Sequence, residues 1–179
     1  MAKFKIRCNI MDKIRFEWRT SNKLYVIMSA VSCLLCGIIS SAATYMMGGR
    51  KFYYSVIHRP SYAPPSFVFP LVWTIIYLLI GFALGLVWGA KHSCRMEEKY
   101  KGILLFVLMM IFNFLWCPLF FAAQATFIAL FAVAMMIALS LGARKYFARI
   151  SMCASIIIIV YLIWLTYCFL INFSIMLLN

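Results

Sequence analysis

The sequence predicts an all-α membrane protein, a single bundle of five transmembrane helices, and three observations carry that reading. Apolar residues make up 66% of the 179 residues and charged residues only 12%, whereas soluble domains average roughly half and roughly a quarter. The apolar residues fall into five runs free of Lys, Arg, Asp and Glu, each of a length suited to the roughly 20 helical residues that cross about 30 Å of hydrocarbon. The basic residues are distributed by side. Fourteen of the 17 Lys and Arg residues lie in the N-terminal arm, the second loop and the fourth loop, and only Arg50, Lys51 and Arg59 lie opposite. The positive-inside rule then places the N-terminus in the cytoplasm.

The elements follow in order. Residues 1–23 form a basic arm in which "KFKIRCNIMDKIRFEWR" suits a short amphipathic helix on the membrane surface, with Met11, Ile14 and Trp18 on one side. A five-helix domain is expected over 24–179. Its first span runs from Leu24 to Met47 and its second from Phe67 to Ala90. The third covers Ile103 to Ala123 and is joined by little more than Gln124 and Ala125 to the fourth, Thr126 to Leu141. That fourth run is short. It counts as a span because an even number would put the last two basic loops on opposite sides of the membrane. The fifth is Ile150 to Leu178.

Between the first two spans lies "RPSYAPPSFVFPLVWTIIY", Arg59 to Tyr77, with four prolines and five aromatic side chains. Pro64 and Pro65 disfavour helix at Ala63, so the chain arrives extended and the second span starts after them. Pro70 falls about one turn inside that helix and is expected to bend it. The stretch from Gly48 to Pro65 reads as a stiff, aromatic-studded lid over one end of the bundle, and its length, about eighteen residues, points to binding or gating.

Several functions are excluded by what is missing. The only acids are Asp12, Glu17, Glu97 and Glu98, all outside the spans, so proton coupling through an intramembrane carboxylate has no residue to use. The seven cysteines are scattered and read as small apolar side chains. Cys33 and Cys36 form a C-x-x-C inside a span with no strand pattern beside it, and the only histidines, His58 and His92, lie in loops, so no metal site is expected. No motif for hydrolysis or phosphoryl transfer is present. We expect no resident cofactor; any chemistry would come from a molecule the protein binds. The formal net charge of +13 flanks membrane spans instead of forming one face, which suits anionic lipid head groups and not nucleic acid.

Helical spacing suggests what is bound. In the second span Pro70, Trp73, Tyr77, Gly81, Leu84 and Trp88 step by three and four and share a face. The third offers Asn113, Trp116 and Phe120, and the fifth Tyr161, Trp164, Cys168 and Asn172. Each stripe carries a Trp beside a polar group. Trp88 fits an interfacial belt, but Trp73 and Trp164 lie deeper and suit an aromatic pocket as well as helix packing.

These stretches resemble the TspO/MBR family of tryptophan-rich sensory proteins and translocator proteins over Leu24 to Asn179. The lid stretch is similar to the family's Pro-Ser-Trp-x-Pro-Pro segment and following Val-Trp. "NFLWCPLFF" resembles its Asn-x-x-Trp-x-Pro-x-Phe-Phe signature, and "YLIWLTYCFLIN" its Tyr-Leu-x-Trp with a later Asn. The resemblance implies a five-helix bundle, commonly dimeric, in a bacterial cell membrane or mitochondrial outer membrane. It implies binding of porphyrins such as protoporphyrin IX, sterols and other hydrophobic small molecules in a cavity closed by the first loop. Carried over residue by residue, the ligand-binding positions are Trp73, Tyr77, Asn113, Trp116, Phe120, Tyr161, Trp164 and Cys168, with Tyr62, Pro64 and Pro65 in the lid. Some bacterial relatives break down protoporphyrin in light and oxygen, which would make Trp73 and Trp164 catalytic; a sterol-binding or regulatory scaffold is a further alternative. The chain departs from the pattern where Tyr62 replaces the lid Trp, where Ala132 stands in place of a frequent acid, and where Phe173 and Leu177 replace the Tyr and cation of the vertebrate cholesterol motif. Gly81, Gly85 and Gly89 form a G-x-x-x-G-x-x-x-G stripe that suits either a homodimer seam or packing within the bundle.

Overall fold

The computed structural model describes residues 22–48, 57–65, 67–90 and 96–179. The basic arm up to residue 21, Arg50, Lys51, His92 and Cys94 therefore lie outside the described residues. Among the described residues five helices are long and apolar enough to span a membrane: α1 (Lys23–Met46), α2 (Val68–Trp88), α3 (Met96–Cys117), α4 (Thr126–Phe147) and α5 (Met152–Leu178). The chain is an integral multi-pass membrane protein. α1 packs mainly on α2, α3 on α4, α4 on α5, and α5 returns to α2; α1 and α3 meet more sparsely.

Local chemistry sets the ends. Asn22 caps α1 by accepting from the Leu24 N–H at 3.1 Å, and Ser151 caps α5 by accepting from the Ala154 N–H at 3.1 Å. α1 stops at Gly48, whose φ of +79° is the left-handed conformation that glycine adopts without steric cost. Pro70 is the third residue of α2, inside the first turn, where an N–H would have no helical partner anyway. It therefore stands within the helix, as its place in the sequence suggests, without costing a helical bond.

Two helices are longer than their apolar runs. α3 begins at Met96, seven residues before Ile103, with Glu97 and Glu98 in its first turn where the helix dipole favours negative charge. Glu98 pairs with Arg149 beyond α4, and the Lys99 ammonium donates to the Ala90 carbonyl at the end of α2 at 3.2 Å. α4 continues past Leu141 to Phe147 and carries Arg144 and Lys145 in its last turn, the favourable end for cations. Stopping at the first charge cut both helices short, because a helix does not end where hydrocarbon does.

After Cys117 the helix widens into a π turn, Pro118–Ala122, closed by Ala123 N–H donating to the Pro118 carbonyl at 2.9 Å. Pro118 has no N–H to offer the Phe114 carbonyl. The Ser40 hydroxyl of α1 donates to that carbonyl instead, at 2.6 Å.

The glycine stripe is used inside the bundle. A Cβ on Gly81 would stand 2.6 Å from the Ala30 Cα and one on Gly85 2.4 Å from the Val26 Cα, so α1 and α2 touch backbone to backbone. Of the two readings of this stripe, packing within the bundle is the one observed. Replacing Gly85 by Val should cost about 1–3 kcal/mol by overpacking, seen as a lower melting temperature in detergent; an unchanged melting temperature would contradict the close seam. Ser40→Ala, which removes the hydroxyl donor to the Phe114 carbonyl, should cost about 1–3 kcal/mol in the same measurement.

Candidate ligand cavity

The sparse contact between α1 and α3 leaves a cavity of about 840 Å³, within the range of roughly 300–1,000 Å³ usual for small-molecule sites. α1 lines it with Leu34, Gly37, Ser40 and Thr44, and α2 with Phe69, Pro70, Trp73, Thr74 and Tyr77. Trp116, Cys117 and Phe121 complete the wall from α3 and the π turn. Ile38 and Tyr45 also line it and are exposed on the outside of α1, so the cavity reaches the lipid-facing surface of the bundle.

Its floor is a hydrogen-bonded chain across three helices. The Tyr77 hydroxyl donates to Asn113 Oδ1 at 2.8 Å, and Asn113 Nδ2 donates to the Tyr161 hydroxyl at 2.7 Å. All three side chains are buried. The Tyr161 hydroxyl in turn points at Met136 Sδ, 3.7 Å away on α4. Gly37 makes room for this arrangement, since a Cβ there would fall 2.2 Å from the Tyr77 ring.

Above the floor the rings meet. Trp73 lies 5.6 Å from Tyr77, 5.7 Å from Trp116 and 6.1 Å from Trp164, the last edge-on. Trp116 stacks on Phe120 at 5.6 Å. These separations are those of favourable aromatic pairs, each worth about 0.5–1.5 kcal/mol beyond area burial. The indole N–H groups of Trp73, Trp116 and Trp164 are all buried without an acceptor. Trp73 and Trp116 line the cavity and Trp164 touches Trp73 from behind, so three indoles without an acceptor among the described residues lie in one aromatic cluster.

The described part of the first loop docks on the far end of α5. The Tyr62 hydroxyl bonds the Ser174 hydroxyl at 2.5 Å and donates to the Leu170 carbonyl at 3.1 Å, while the Tyr167 hydroxyl donates to the Tyr62 carbonyl at 3.0 Å. Asn179 grips the backbone of His58 at both amide atoms, at 2.9 and 3.1 Å. Pro65 leads into α2, its carbonyl accepting from the Val68 N–H at 3.0 Å.

The candidate residues therefore occupy distinct places. Trp73, Tyr77 and Trp116 line the large cavity; Asn113 and Tyr161 lie beneath Tyr77, bonded to it in turn, and do not line the cavity; Trp164 backs Trp73. Phe120 and Cys168 face a second, much smaller cavity of about 10 Å³ behind Trp116. Tyr62, Pro64 and Pro65 lie in the loop that runs onto α5 and into α2, and Tyr62 contacts that helix without lining the cavity. Ala132 is buried in the core on α4, and Phe173 and Leu177 face outward. The α1 wall escaped the sequence reading. Its signal was a stripe of small and polar residues, Ser29, Cys33, Gly37, Ser40 and Thr44, spaced by three and four within an apolar span. If the floor holds the three helices together, Asn113→Leu, which strands the Tyr77 hydroxyl and leaves Tyr161 only its weak contact with Met136 Sδ, should lower stability by about 1–3 kcal/mol in thermal unfolding of the ligand-free protein, and an unchanged transition would contradict it.

Comparison with known proteins places this architecture. The profile of the TspO/MBR family matches residues 29–178. The chain is 31% identical over 147 residues to the tryptophan-rich protein TspO of Chlorobaculum tepidum, covering 82% of this chain and 90% of that protein. It is 32% identical over 128 residues to the tryptophan-rich sensory protein of Cereibacter sphaeroides, covering 71% and 77%. The human translocator protein is 27% identical over 131 residues, covering 73% and 77%. The five-helix bundle with its tryptophan-lined cavity is that of a member of the TspO/MBR family.

Proposed function

We propose that the protein is a membrane receptor or carrier that binds a tetrapyrrole of the protoporphyrin IX type, or a related flat hydrophobic molecule, in the cavity between α1, α2 and the end of α3. The observation that carries this reading is the pair of buried indole N–H donors, Trp73 and Trp116, whose rings line an aromatic cavity, with a third, Trp164, behind Trp73. A buried donor without an acceptor is costly. A ligand that brings acceptor atoms, such as ring nitrogens, carbonyls or carboxylates, relieves that cost while its ring stacks on the indoles. The lateral reach of the cavity to lipid suits a ligand that partitions into the membrane before it binds.

Light- and oxygen-dependent breakdown of the bound pigment is the second reading. It is favoured by the contact of Trp73, which lines the cavity, with Trp164 behind it at 6.1 Å. In that reading the pigment absorbs the light, Trp73 at the cavity wall donates an electron, and Trp164 behind it can refill the hole. A homodimer is also proposed, with its seam elsewhere than on the glycine stripe that α1 covers.

Titration of the purified protein with protoporphyrin IX in the dark should give saturable quenching of tryptophan fluorescence. Trp73→Phe or Trp116→Phe, each removing one indole donor, should weaken binding about tenfold, the equivalent of roughly 1.4 kcal/mol. Quenching that does not saturate would contradict the receptor reading. Under light, a cyclic product formed equally by wild type, Trp73→Phe and Trp164→Phe would sink the second.

A further inference from the structure

Asn172 on α5 is 1% exposed, and neither its amide nitrogen nor its amide oxygen has a partner. Neighbouring lipid tails can offer none, so an unpaired amide at this depth is among the least tolerable groups in a membrane protein. Asn172 lines the cavity of about 10 Å³ behind Trp116. Trp116 lines that cavity too, and its indole N–H is likewise buried without an acceptor. The chemistry is complementary. The indole can only donate, whereas the amide can do both, so a single oxygen between them can accept from Trp116 and donate to Asn172 Oδ1. About 10–15 Å³ of such space is what one water needs.

We propose that this cavity is a site for one neutral, hydroxylic oxygen held between Trp116 and Asn172. In the ligand-free protein the oxygen is a water, whose place a hydroxyl or carboxyl group of a bound ligand can take. Trp116, Phe69 and Phe121 line both this cavity and the large one, so their rings stand between the two spaces. A shift of these rings lets a ligand group reach Asn172. The site also fixes Trp116, which would otherwise be held by ring contacts alone. It does not rest on the tetrapyrrole reading, because its first test uses the protein without ligand.

That test is the hydrogen-bonding state of the Trp116 indole, read from the indole N–H band in ultraviolet resonance Raman spectra of the full chain in nanodiscs. The difference between wild type and Trp116→Phe isolates the band. The site requires a hydrogen-bonded indole in wild type that becomes free in Asn172→Leu, with Asn172→Met as a second apolar replacement of similar bulk. A free indole in wild type, or a band that neither substitution moves, would overturn it. Protoporphyrin IX titration of the same variants shows whether a ligand group takes the place of that water. A loss of affinity of about tenfold means that it does, and unchanged affinity with the Raman shift retained means that the water stays.

Discussion

Hydrocarbon offers no hydrogen-bond partners, and the arrangement of this bundle follows from where its polar groups find them. Pro118 deprives the Phe114 carbonyl of its helical donor, and the Ser40 hydroxyl of α1 supplies one. Tyr77, Asn113 and Tyr161 satisfy one another across α2, α3 and α5. Within the spans these bonds are what tie the helices in register, since apolar side chains gain little by leaving lipid for protein. The same accounting makes the three indoles informative. The indole N–H groups of Trp73, Trp116 and Trp164 find no acceptor among the described residues, beside a cavity that Trp73 and Trp116 line.

The cavity exists because α1 is held differently along its length. Near Val26 and Ala30 it lies backbone to backbone on the glycines of α2. From Gly37 onward the Tyr77 ring occupies the space between the helices, and α1 contributes a wall instead of a seam. Small residues thus do opposite work in the two halves. In one they admit a helix backbone, and in the other they admit an aromatic ring and leave volume beside it. The loop that follows α1 runs onto α5, where Tyr62 and His58 are bonded, so the end of the bundle that holds the cavity is also the end where loop and helix are cross-tied.

Most of the fold was legible because membrane spans are written in composition. Five apolar runs gave five helices, and the errors fell at ends where charge and hydrocarbon part company: the first turns of α3 and the last of α4 are helical but polar. The aromatic stripes placed Trp73, Tyr77 and Trp116 on faces that do converge. The contribution of α1 was harder to see, because Gly37 and Ser40 matter through what they face, a ring and an orphaned carbonyl on other helices. The fate of the glycine stripe was open for the same reason. A small-residue pattern states that something approaches closely and is silent about whether it is the next helix or another copy of the chain.

The account stands most directly on the position of the ligand, and an experimental structure of the chain with bound protoporphyrin IX would test it. The account predicts the macrocycle between α1, α2 and the π turn, with its acceptor atoms within hydrogen-bonding distance of the Trp73 and Trp116 indoles. A pigment bound on the outer surface of the bundle, with those indoles still unpaired and the cavity filled by lipid, would contradict it.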